Sequence, residues 1–166
     1  MNLQFYLEKA RNSPEYKSFI KENPDAFVCS AFFIIDKEGT DNKQHIDVYV
    51  PSKNQFFSFQ LEEECKLIPV EVIEGVPAPT KLLANSVLDF GEIDEIIKDE
   101  VEKQGIKNTV QKILAVLQNV EGKDVWFCTV FISMLGLLKV QIDDALGEVL
   151  FFEKKSFFDM LGVYKK

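Results

Sequence analysis

The chain has a single histidine, His45, and Asp47 lies two residues further on. Positions two apart on a strand share a face, so this pair could respond to pH or offer two ligands to a metal ion. One imidazole and one carboxylate cannot close a tetrahedral metal site, and the pair is expected to be a solvated cross-strand contact. Cys29 and Cys128 are potential nucleophiles. Their strand neighbours are apolar, with no base within reach in the sequence, so both read as buried, inert thiols. Asp143, Asp144 and Glu148 resemble a carboxylate set for acid–base chemistry. They fall in the stretch DDALGE, where short carboxylates bind turn amides instead. The acidic runs 62–64 and 94–102 could attract a cation or a basic partner. In the second run Ile93, Ile96, Ile97 and Val101 repeat at helical spacing, which makes the acids the solvated side of an amphipathic helix. No glycine-rich loop follows a strand and opens a helix, so there is no phosphate cradle. The expectation is a protein that is not an enzyme and uses neither cofactor nor metal.

Composition narrows the partners. The chain has 166 residues, 46% of them hydrophobic, and a net charge of −8. That length can bury one sizeable core, while two independent halves would each be marginal. The acidic balance argues against nucleic acid and anionic membrane surfaces, both of which need a basic footprint. Fifteen phenylalanines imply either a thick aromatic core or an aromatic surface that a partner covers. The first residues lack a basic start followed by an apolar run, and no apolar run reaches membrane-spanning length. Three widely spaced cysteines suit free thiols in a reducing compartment, so the expected location is the cytoplasm.

The elements that must position these residues follow from periodicity. Leu3, Tyr6, Leu7 and Ala10 mark a first helix; Ser13 and Pro14 start a second with Tyr16, Phe19 and Ile20 on its buried stripe. Residues 26–36, 45–50, 55–61 and 67–73 read as strands, and the proline-rich segment 75–90 as a linker. Asp89 and Glu92 are spaced as a capping box for a third helix. Asn108 and Gln111 suggest a fourth, with Val110, Ile113, Leu114 and Leu117 on its stripe. Three strands follow, and Ser156 reads as the cap of a short helix, FFDML.

Laid side by side, the halves match in element order, and residues 27–33 align class for class with 126–132, Cys29 on Cys128. The resulting expectation is an α+β fold of two tandem repeats, residues 1–74 and 91–166, each helix–helix–meander, arranged about a pseudo-twofold. On the matched strands one face is wholly apolar: Phe27, Cys29, Ala31 and Phe33, and Trp126, Cys128, Val130 and Ile132. The other mixes aromatics with hydroxyls: Val28, Ser30 and Phe32, and Phe127, Thr129, Phe131 and Ser133. Such a mixture suits a contact between the halves or a partner-binding surface, for which Phe32, Phe127, Phe131, Ser30 and Thr129 are the candidates.

The stretch 126–152 resembles a PepSY domain, the module named for peptidase propeptides and the YpeB protein. Asp143, Gly147, Glu148 and Val149 fall on that family's strand-ending turn pattern, while Asp144 stands in for a small residue and Leu146 for a threonine. In the first half Tyr49 and Lys53 occupy the places of the aspartate and the glycine. Asp143 can accept hydrogen bonds from turn amides, and Gly147 can supply a positive φ, so both are candidate structural turn residues. The resemblance implies binding or inhibition of a protein partner, often a peptidase. The first reading is therefore a non-enzymatic protein- or peptide-binding module, monomeric or homodimeric. The alternative is a carrier holding a small apolar ligand within a curved, phenylalanine-rich sheet.

Overall fold

Two short helices open the chain, each started by a side chain that satisfies otherwise unpaired backbone amides. Asn2 accepts from the Phe5 amide at the head of α1 (Leu3–Arg11), and Ser13 accepts from the Tyr16 amide at the head of α2 (Pro14–Glu22). This computed structural model describes residues 1–72 and 74–156. After α2 come strands β1 (Phe27–Asp36), β2 (Lys43–Val50), β3 (Gln55–Gln60) and β4 (Lys66–Val70). Helix α3 (Phe90–Lys103) begins with a complete Asp89/Glu92 capping box. Strands β5 (Val110–Val120), β6 (Lys123–Ile132), β7 (Gly136–Asp143) and β8 (Val149–Ser156) complete the described chain.

The eight strands form one antiparallel sheet in the order β4-β3-β2-β1-β5-β6-β7-β8, so two meanders join edge to edge through β1 and β5. This corrects the expectation of two helix–helix–meander repeats about a pseudo-twofold. The stretch read as a fourth helix is β5, a central strand. Val110, Ile113, Leu114 and Leu117 fit helical spacing, but Ile113, Ala115 and Leu117 equally fit a period of two, and these three are the fully buried ones. The two-residue turn at its end decides the matter. Glu121 and Gly122 have φ of 53° and 87°, a pairing of left-handed residues that folds a strand straight back, and Val120 faces Lys123 across it. Asn108 caps no helix; its side-chain amide donates to the Ser133 carbonyl.

The aligned segments 27–33 and 126–132 consequently occupy different places, the first strand of one meander and the second strand of the other. Cys29 sits at a bulge in β1, whereas Cys128 lies in a regular ladder between Ala115 and Val140. Residues of the 75–90 segment are tied to the fold: the Leu82 amide donates to Val28, and Gln4 donates to the Ala84 and Ser86 carbonyls. Ser156 ends β8 opposite Gly136, and the FFDML stretch lies outside the described residues.

A single apolar core lies between the helices and one face of the sheet. It takes Leu3, Leu7 and Phe19 from the first helices, Ile93 and Ile97 from α3, and Phe33, Ile46, Phe59, Ile113, Trp126 and Ile142 from six strands. Trp126 is fully buried against Phe33 and Phe90, and its indole N–H donates to Asp144 at 2.8 Å.

Candidate functional site

The helices all pack on the same side. Phe19 of α2 meets Phe57 and Phe59, Phe90 of α3 meets Phe33, and α1 carries Tyr6 against the same ring. Side chains alternate along each strand, so the remaining residues point to the opposite face, which no described element covers.

Cross-strand register places this open face row by row. Phe32 of β1, Val116 of β5 and Phe127 of β6 form one row, so Phe32 and Phe127 stand about 10 Å apart, two strand spacings. The next row is Ile34, Leu114 and Thr129, and the one after holds Asp36, Lys112 and Phe131. Of the five residues the sequence singled out, Phe32, Phe127, Thr129 and Phe131 therefore share one patch on the three central strands. Ser30 lies in the adjoining row with Gln118 and Asp47. Phe131 is 36% exposed, and Phe32 and Phe127 are half-buried by their neighbours. Ile34, Leu114 and Val116 were not identified from sequence as part of this surface. Leu114 fits a helix stripe by spacing alone, whereas the Glu121–Gly122 turn marks its segment as a strand and puts it here.

The bulge at Cys29 alters the predicted faces. The register slips between Val28 and Ser30, so Val28 pairs with Val48 in the core and Phe27 pairs with Tyr49 on the open side. Phe27, Tyr49 and Phe56 then make an aromatic group, with ring centroids 5.8 and 4.8 Å apart along the series. The Tyr49 hydroxyl donates to Asn54 at 2.6 Å. His45 and Asp47 are not a solvated pair. His45 lies 3.2 Å from Glu62 and against the Phe32 ring, while Asp47 accepts from the Ser30 hydroxyl at 2.9 Å. Burial pushes the Asp47 carboxyl above the usual range, with Ser30, Ser58 and His45 pulling the other way. Cys29 is pushed up to about 12 by burial and by the neighbouring Asp47 charge, and Cys128 to about 12 by burial alone. Neither is a nucleophile near neutral pH.

Asp143 and Gly147 shape the β7–β8 turn. One Asp143 oxygen accepts from the Ala145 and Leu146 amides at 3.0 Å, and Gly147 has φ of +68°. The turn rests on α3, since a Cβ at Gly147 would meet Ile96 at 3.7 Å. Asp144 is held by the Trp126 indole, and Asp124 accepts from the Leu83 and Ala84 amides. Each of these three buried carboxylates thus serves a backbone or core donor. Among the described residues no cluster of histidine, cysteine and carboxylate side chains has the geometry to hold a metal ion.

At the end of the open face, an open-sided depression of about 560 Å³ is lined by Ile34, Leu114 and Phe131, with Asp36, Asp41 and Lys112 on its rim. Among the described residues no helix is long and apolar enough to cross a membrane.

No family model matches this chain, and no curated protein matches it. The crystal structure of a provisionally named lipoprotein from Clostridium difficile 630 is similar in fold, with a TM-score of 0.55 at 15% identity over 85% of this chain and 90% of the other.

Proposed function

We propose that the chain is a non-enzymatic protein- or peptide-binding module and that the open sheet face is its contact surface. The observation that carries this reading is the row Phe32, Val116, Phe127 with Ile34, Leu114 and Phe131 beside it, uncovered by any described element. An apolar patch of this kind, interspersed with Thr129, Lys112 and Ser30, has the mixed character of a recognition surface. Aromatic side chains at the centre of such a patch carry most of the binding energy. The PepSY-like pattern over β6 to β8 favours a peptidase among the candidate partners, and a second copy of the chain would make a homodimer.

The location we favour is the cytoplasm, on the strength of three free cysteines, two of them buried. The structural neighbour's designation as a lipoprotein points toward the cell envelope, and fractionation of the native host decides between the two. A second reading, carriage of a small apolar ligand, has the depression beside Phe131 in its favour. Native mass spectrometry of protein purified without detergent would detect such a cargo.

The binding reading is tested by affinity capture with the wild type and with Phe32→Asp/Phe127→Asp. The variant should fold and lose the proteins that the wild type retains. A folded variant that captures the same set would refute the assignment of this face.

A further inference from the structure

The turn between β6 and β7 is built from residues that suit it badly. Met134 and Leu135 hold its two central positions with φ of 65° and 57°, where the Cβ of an L-residue is crowded. The corresponding turn between β5 and β6 is Glu121–Gly122, with glycine at one of the two positions. Met134 and Leu135 are also 88% and 67% exposed, so burial within the chain does not offset the crowding. Strained backbone of this kind is a mark of function. The apolar knob stands beside a hole. Ser133, at the base of the turn, is hydrogen-bonded to Asn108 and Thr109, and a little further along β5 Lys112 borders the depression floored by Ile34, Leu114 and Phe131. The far wall of that depression is held in place. The Asp36 carboxylate accepts from the Glu38, Gly39 and Asp41 amides, and the Lys37 ammonium donates to Asp94 of α3 at 3.0 Å. Charge divides between the two features. The rim of the depression carries Asp36, Glu38 and Asp41 against one cation, Lys112, which Asp41 already engages at 3.1 Å. Lys107 lies next to Asn108, beside the knob. Among the described residues the exposed side chains of Glu38 and Lys107 have no partner.

We propose that the Met134–Leu135 knob of one copy of this chain seats in the depression of a second copy, and that the exchange is reciprocal about a twofold axis. Knob and depression lie at the same end of the sheet, so one rotation brings both pairs together, as an isologous dimer requires. The two apolar side chains would cover Ile34, Leu114 and Phe131, and Lys107 of each copy would meet Glu38 of the other across the rim. A membrane surface fits this end less well, because the acidic loop 36–41 would be carried to it. The inference goes beyond the binding-module reading, since it leaves the Phe32–Val116–Phe127 row free for a different protein.

The test is sedimentation equilibrium of the full chain at concentrations up to about 1 mM, where a monomer–dimer equilibrium is expected. Met134→Asn/Leu135→Gly gives the turn the residues it prefers. That variant should melt no lower than the wild type, while its dimer weakens at least about thirtyfold. Lys107→Glu and Glu38→Lys should each weaken the dimer about fivefold or more, and combining them should restore it. Phe32→Asp/Phe127→Asp should remain dimeric, which separates this contact from binding of another protein by the central row. A wild type that is still monomeric at about 1 mM would overturn the proposal. So would a dimer undiminished in Met134→Asn/Leu135→Gly, a dimer lost only in Phe32→Asp/Phe127→Asp, or a monomer that uses the knob to sediment with neutral or anionic lipid vesicles.

Discussion

Trp126 and Phe127 are neighbours in sequence that belong to opposite faces of β6, and truncating each separates the covered face from the open one. Trp126 is 0% exposed, touches Phe33 and Phe90, and donates its N–H to Asp144. Replacing it by alanine removes a large buried side chain and leaves a cavity, at a cost of about 3–5 kcal/mol. It also strips a buried carboxylate of its indole donor, which moves the cost toward the upper end. Against a total stability of roughly 5–15 kcal/mol, that change can unfold much of the population. Phe127 is half-buried on a face that no described helix covers. Complete burial of a phenylalanine contributes about 2–3 kcal/mol, so Phe127→Ala should cost roughly 1 kcal/mol. Urea unfolding followed by far-UV circular dichroism measures both, without relying on the chain's single tryptophan. A cost for Phe127→Ala equal to that for Trp126→Ala would mean that the second face is also a core, and the argument for an open surface would fail.

Further outcomes follow from individual groups. The folded state raises the Asp47 pKa, so it holds that proton more tightly than the unfolded chain, and stability is lost as pH rises from about 3.8 through the folded value. Asp47→Asn should therefore melt higher than the wild type at pH 7, with the difference vanishing near pH 3 in calorimetric scans; a variant that melts lower at neutral pH would contradict the burial argument. Cys29 and Cys128, both pushed up to about 12, should resist iodoacetamide at pH 8 in the native protein and react in urea, with rapid native alkylation of either counting against their burial. Gly147→Ala should lower stability by about 1 kcal/mol through its left-handed backbone alone, since Ile96 leaves room for the methyl group; an unchanged urea midpoint would show that the turn relaxes.

Much of the architecture could be read from local signals because those signals were strong and unopposed. Ser13–Pro14 and Asp89/Glu92 start their helices as the side-chain chemistry requires, and Ile46, Val48 and Val50 alternate into the core. The strand faces around Phe32 and Phe127 followed from period two alone. The error at β5 arose where two periods fit the same residues: Ile113 and Leu117 are four apart, so they share a helix face and a strand face alike. The Glu121–Gly122 turn, which folds β5 back onto β6, is the local signal that resolves the ambiguity, whereas the pairing of β5 with β1 leaves no mark in a local window. A helix at β5 sets the halves one strand out of step and gives a repeat of the wrong form. The bulge at Cys29 had no sequence signal, since neither glycine nor proline marks it, and it alone carries Phe27 to the side of Tyr49. Asp47 looked solvated because a polar residue on an alternating strand usually is. Its burial comes from Ser30 and Ser58 on neighbouring strands and from the aromatic groups to either side.

Binding at the open face is the property that most needs direct measurement. Isothermal titration of a captured partner into the wild type and into Phe32→Ala/Phe127→Ala, with melting curves on both, addresses this directly. The predicted result is a loss of affinity of about a hundredfold or more, since central aromatic truncations cost at least about 2 kcal/mol each, while the variant stays folded. An unchanged dissociation constant in a folded variant would contradict the account.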